Sequence, residues 1–108
     1  MLEKDAKIFV AGHHGLVGSA IWNNLLQRGY TNLTGRSHKE LDLLDGAAVK
    51  KFFDEEKPDA VVLAAAHVGG IMANLQYRAD FIYRNLQIQQ NVIGESFRHG
   101  VKKLLFLG

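Results

Sequence analysis

The chain has 108 residues, 47% of them hydrophobic and 22% charged, and 13 Lys and Arg against 11 Asp and Glu leave a net charge of +2. That composition suits one folded domain spanning residues 1–108 with a modest core, and it gives no electrostatic reason to expect nucleic acid or an anionic membrane as a partner. Cysteine is absent, which removes disulfides and thiol chemistry.

The first apolar run, Lys7–Ala11 (KIFVA), predicts a buried parallel strand. From Leu16 to Arg28 the residues Val17, Ala20, Ile21 and Leu25 recur at helical spacing, and Gly29 is a natural stop. Thr31–Gly35 (TNLTG) predicts a weak second strand. Ala47–Lys57 predicts a helix with Val49, Phe52 and Phe53 on one face and Pro58 just beyond it. Ala60–Ala66 (AVVLAAA) is the strongest strand signal. A long helix is expected from Leu75 to His99, closed by Gly100, and KKLLFLG predicts a final strand. The order β-α-β-α-β-α-β predicts an α/β fold, a partial Rossmann-type doubly wound parallel sheet with right-handed crossovers.

MLEKDAK carries no apolar segment of the kind a secretory signal needs. The longest mostly apolar run, residues 60–73, is too short to span a bilayer and contains His67 and two glycines. The expectation is a cytoplasmic protein.

Between the first strand and the first helix lies GHHGLVG, with Gly12, Gly15 and Gly18 at intervals of three. In a strand-to-helix turn one glycine relieves the turn, one lets backbone approach a pyrophosphate, and one lets helix and strand pack closely. The helix N-terminus then offers free N–H groups and the positive end of its dipole to an anion. A tight turn without a ligand is the alternative. At the end of the second strand an NAD site would normally place a carboxylate for the ribose 2′-hydroxyl. This chain has GRSHK instead, with Arg36, His38 and Lys39 and no carboxylate before Glu40. Arg36, a fixed fork of donors, suits a 2′-phosphate, so the expected cofactor is NADP(H). A solvated basic loop is the other reading of the same residues. His13 and His14 are adjacent and expected to point apart, and with His38, His67 and His99 far off in sequence no metal site is expected.

The blocks KIFVAGHHGLVGSAI, SHKELDLLD, VVLAAAHVGGIMAN, ADFIYRNLQIQQNVI and HGVKKLLFLG together resemble the N-terminal part of the GDP-L-fucose synthase family, in the extended branch of the short-chain dehydrogenase/reductase superfamily. The resemblance covers about residues 6–108. It implies that Gly12, Gly15, Leu16, Val17 and Gly18 form the dinucleotide turn, and that Arg36 and His38 lie near the 2′-phosphate. It places Asp42 and Leu43 against the adenine, and Ala64, Ala65 and Ala66 along the ribose and pyrophosphate channel. Asn85 becomes a candidate polar contact below the nicotinamide. Bland roles are compatible with several of these: a turn cap for Asp42, close strand–helix packing for the alanines, a structural hydrogen bond for Asn85. Three positions depart from the family pattern. His14 stands where an arginine usually helps hold the 2′-phosphate, His67 replaces a lysine, and Arg78 replaces a proline.

The reaction implied by the resemblance is epimerisation of GDP-4-keto-6-deoxymannose at C3 and C5, then reduction of its 4-keto group by NADPH. It uses a serine, a Tyr-x-x-x-Lys pair, and a cysteine with a histidine. Tyr30, Tyr77 and Tyr83 are followed four positions later by Thr34, Phe81 and Gln87, so no such pair is present. The expectation is therefore a cofactor-binding part that is not catalytic alone, with the C-terminal half of the family fold absent. It would be completed by a GDP-sugar-binding region in the full-length enzyme. The alternative is a non-catalytic nucleotide-binding or interaction module, forming a homo-oligomer or pairing with a full-length relative.

Overall fold

The computed structural model describes residues 2–64 and 78–106. Within them the strands are β1 (Ile8–Ala11), β2 (Leu33–Thr34), β3 (Ala60–Leu63) and β4 (Lys103–Phe106), and the helices are α1 (Leu16–Gln27), α2 (Gly46–Glu56) and α3 (Arg78–Arg98). All neighbouring strands are parallel, in the order β2-β1-β3-β4, with Ile8 opposite Leu33, Val10 opposite Val62 and Val61 opposite Leu104.

Every residue of β1 and β3 is buried, because helices cover both faces of the central pair. That is why both strands read as unbroken apolar runs instead of alternating ones. The two-residue period of a strand still sorts their side chains. Ile8, Val10, Ala60 and Val62 face Ile21, Trp22 and Leu25 of α1. Phe9, Ala11, Val61 and Leu63 face Val49, Phe52 and Phe53 of α2 and Val92 of α3. Phe9 is the centre of the second layer, with ring centroids 4.4 Å from Phe52 and 6.0 Å, edge-on, from Phe53. Burying each such ring is worth about 1.5–3 kcal/mol.

Local chemistry sets the ends of α2. Asp45 caps it by accepting from the N–H groups of Ala47 (3.1 Å) and Ala48 (3.2 Å). Lys57 closes it in the left-handed region at φ 47°. Asp59 then accepts from the Lys7 N–H at 2.9 Å and ties the start of β3 to the start of β1.

The elements follow the expected order, with shorter strands. β2 has two residues, half-buried at the sheet edge, where little packing reinforces the weak propensity of TNLTG. β3 ends at Leu63, although the Ala64 N–H still donates to Ala11 O at 2.9 Å. Ala65 and Ala66 lie outside the described residues. Among the described residues no helix is long and apolar enough to cross a membrane.

The strand order fixes where a ligand can sit. From β1 the chain crosses to β2 on one side, then returns past β1 to β3 and β4 on the other. Helices leaving neighbouring strands in opposite directions open a crevice at the carboxyl ends of β1 and β3.

Candidate functional site

The crevice begins at the glycine turn. Gly12 has φ 87°, a conformation other residues rarely adopt, and its carbonyl accepts from the Gly15 N–H at 3.0 Å. Gly18, in the first turn of α1, is buried against it. A Cβ there would lie 1.9 Å from Gly12 O and 2.7 Å from Gly12 C, so no side chain fits. Gly15 differs from both. Its backbone is ordinary extended (φ −73°, ψ 170°), and a Cβ would meet only Gly12 O, at 3.4 Å. Among the described residues nothing crowds that position, but Gly15 lines the crevice, where a bare backbone lets a ligand come close. Gly15 caps α1 without a side-chain acceptor, so the amides of the first turn are open to an anion.

The crevice holds a cavity of about 270 Å³ bounded by Gly12, Gly15, Arg36, His38, Leu41, Asp42, Leu43, Leu44, Ala64 and Ile88. It continues, through shared walls at Gly12, Gly15, Arg36 and His38, into a groove of about 410 Å³ that adds His13, His14, Ser37 and Lys39. One end is apolar, with Leu41, Leu43, Leu44 and Ile88 suited to a flat ring. The other is basic and amide-rich, suited to phosphate.

The basic loop is held by its own side chains. Ser37 and Glu40 cap each other: Ser37 N–H donates to Glu40 Oε1 at 2.7 Å and Glu40 N–H to Ser37 Oγ at 3.3 Å. The bond from Ser37 N–H, followed by the Ser37 hydroxyl, holds the Glu40 carboxyl below its usual range. Arg36 Nη1 donates to Thr34 Oγ1 (3.0 Å) and Gly35 O (2.9 Å), Nη2 lies 3.4 Å from Glu56, and the guanidinium lies 5.1 Å above the Phe52 ring. These contacts fix the guanidinium at the groove wall.

Glu56 is in turn paired with Lys7 Nζ at 2.6 Å. That hydrogen bond, helped by the Lys7 and Arg36 charges and opposed by partial burial, holds the Glu56 carboxyl below the usual range. A depressed carboxylate contributes stability that is whole above its ordinary pKa and is lost as the pH falls through the depressed value. Unfolding midpoints measured from pH 7 down to pH 3 should therefore fall less steeply for Glu56→Gln than for the parent chain. Parallel acid limbs would contradict the pairing.

The expected site residues separate into groups. Gly12, Gly15, His14, Arg36, His38, Asp42, Leu43 and Ala64 come together around the groove. Asp42 also fills the bland role, its Oδ1 accepting from Leu44 N–H at 3.0 Å. Leu43 O accepts from Asn91 Nδ2 at 2.8 Å, which ties this wall to α3. Leu16 and Val17 are not among the groove-lining residues and are 90% and 53% exposed. Asn85 is half-buried on α3, one turn before Ile88, and is not among the lining residues either.

One expectation is corrected. His13 and His14 do not point apart: their rings meet edge-on with centroids 4.0 Å apart, because His13 turns inward against Trp22 (5.3 Å). Burial, followed by the neighbouring His14, lowers the His13 pKa and favours the neutral ring. Sequence reasoning also passed over Leu41 and Ile88 as lining residues. Ile88 had a usable signal, standing one turn from Asn85 on the same helix face.

The family model of the NAD dependent epimerase/dehydratase family matches residues 8–108. The chain belongs to that family. Members similar to it include GDP-L-fucose synthase 1 of Arabidopsis thaliana, 63% identical over 108 residues, and GDP-L-fucose synthase of Escherichia coli K12, 54% identical over 102. These matches take 100% and 94% of this chain but 33% and 32% of the relatives. Among solved structures, GDP-mannoheptose C4 reductase from Campylobacter jejuni with NADP bound superposes with a TM-score of 0.92 at 50% identity. All of this chain and 34% of that one are covered. The chain spans about a third of the length of the relatives it matches.

Proposed function

We propose that this chain is the NADP(H)-binding part of a GDP-sugar epimerase/reductase of the GDP-L-fucose synthase type, acting in the cytoplasm. The observation that carries the reading is the continuous groove at the switch point between β1 and β3, apolar at one end and lined by Arg36, His38 and open α1 amides at the other. The relatives' names and the NADP in the Campylobacter reductase support it.

In this reading the adenine lies against Leu41, Leu43 and Ile88, the pyrophosphate meets the Gly12–Gly15 turn, and Arg36 with His38 takes the 2′-phosphate. NADPH, when bound, supplies hydride to a keto sugar. The residues of this chain bind and orient the cofactor, and Ala64 leaves room beside the strand end for it. Leu16, Val17, Ala65, Ala66 and Asn85 belong to the proposed surroundings of the cofactor. Deprotonation, protonation and sugar binding fall to groups of the whole enzyme, since the chain contains no cysteine and no Tyr-x-x-x-Lys.

Retention on immobilised 2′,5′-ADP tests the reading. The chain should bind and elute with free 2′-phosphate-bearing nucleotide, and 5′-AMP should elute it poorly. Passage through the resin without retention would contradict it. A second reading, an interaction module, is favoured by β4, the outer strand of the sheet among the described residues, whose Leu104, Leu105 and Phe106 form an exposed apolar edge. That module would pair with a further copy or a full-length relative whether or not nucleotide binds.

A further inference from the structure

His13 lines the groove but is absent from the expected site residues. Its ring fills the space where a side chain on Gly35 would be: a Cβ built there lies 2.6 Å from His13 Cγ and Nδ1. On its other sides stand Trp22 of α1 and the edge of His14. Gly35 is the residue between β2 and Arg36, and its carbonyl is one of the two acceptors for Arg36 Nη1. The imidazole thus sits between the glycine turn, the first helix and the root of the basic loop.

The Nδ1 atom of His13 is buried and has no hydrogen-bond partner among the described residues. At that atom the ring contributes volume and no hydrogen bond to the described residues.

We propose that His13 is a positioning residue for 2′-phosphate recognition, a flat wedge that sets the separation between the phosphate turn and the Arg36 loop. The inference rests on the NADP(H) reading of the groove. It concerns which residue holds the two anion-binding walls apart, and it assigns the role to ring volume and not to charge. Removing the ring lets the Gly35–Arg36 segment relax toward α1, so Arg36 loses its place while the amide cradle of the turn survives. Discrimination between NADPH and NADH should suffer more than binding of the part the two cofactors share.

The test is the ratio of NADH to NADPH dissociation constants, read from fluorescence titrations of the 108-residue chain, three single variants and one double variant. His13→Ala should lower that ratio by roughly tenfold. His13→Phe should restore it, since a phenyl ring fills the same space and Nδ1 makes no bond. Gly35→Ala, which pushes on the ring from the other side, should also lower the ratio. In the His13→Ala background the same Gly35→Ala change should add little, because the two act through one contact. A His13→Ala chain with the parent's ratio would overturn the inference, as would a His13→Phe chain as impaired as His13→Ala, or Gly35→Ala effects that simply add. If His13→Ala does not fold, a His13→Phe chain with a clearly lowered ratio, or a Gly35→Ala chain with the parent's ratio, would overturn the inference instead. Failure of the parent chain to bind either nucleotide would sink the cofactor reading instead.

Discussion

Valine in place of Gly18 should cost the chain roughly 3 kcal/mol of stability, the upper part of the range for overpacking a well-filled site. The obstacle is backbone, since even a Cβ would stand 1.9 Å from Gly12 O, and no rotamer change removes it. The helix must therefore move off the turn and carry Ile21, Trp22 and Leu25 away from Ile8 and Val10. For a domain whose whole stability is of order 5–15 kcal/mol, that is a large share. Urea unfolding should show a lower midpoint with little change in slope. Gly15→Ala is the informative contrast. Its Cβ has room, so stability should change by no more than about 1 kcal/mol, but the methyl group would face the bound phosphates. Equal destabilisation by the two substitutions would contradict the division of labour among the glycines.

Loss of the Arg36 side chain should weaken NADPH binding by about ten- to a hundredfold, the value of a hydrogen-bonded charge pair, and leave NADH binding nearly unchanged. The selectivity of the loss matters more than its size, because only one of the two cofactors carries the 2′-phosphate. Arg36→Lys should recover only part of it, since a lysine keeps the charge but not the planar fork held over Phe52. Glu56 retains Lys7 in both variants, so the tie between the end of α2 and the start of β1 should stay intact. Parallel isothermal titrations of the two variants with both nucleotides check this. Equal weakening toward NADPH and NADH would place Arg36 elsewhere than at the 2′-phosphate.

Much of this architecture is legible before folding is considered. β1 and β3 are unbroken apolar runs because both faces are covered, and α1 and α2 show the period of a one-sided helix. Gly12 and Gly18 could be named from spacing, although spacing alone does not say which glycine serves the turn, which the packing and which the ligand. That division needed the φ of Gly12 and the space around each Cβ. The groove was half legible. Arg36 and His38 stand out as basic residues where a carboxylate is expected, and Asp42 and Leu43 follow from the family pattern. Leu41 is buried core and also forms groove wall. Ile88 reaches the site only because α3 packs beside α2. His13 was misjudged because adjacent residues normally diverge. In a glycine turn the backbone reverses within a few residues, and Trp22 and Gly35 leave a slot that takes its ring.

The central claim is that the groove between β1 and β3 binds a dinucleotide and prefers the one with a 2′-phosphate. Calorimetric titration of the purified chain with NADPH and, separately, NADH tests it most directly. The account predicts saturable one-to-one binding of NADPH, roughly tenfold or more tighter than NADH. Absence of binding heat with both nucleotides, or tighter binding of NADH, would contradict it.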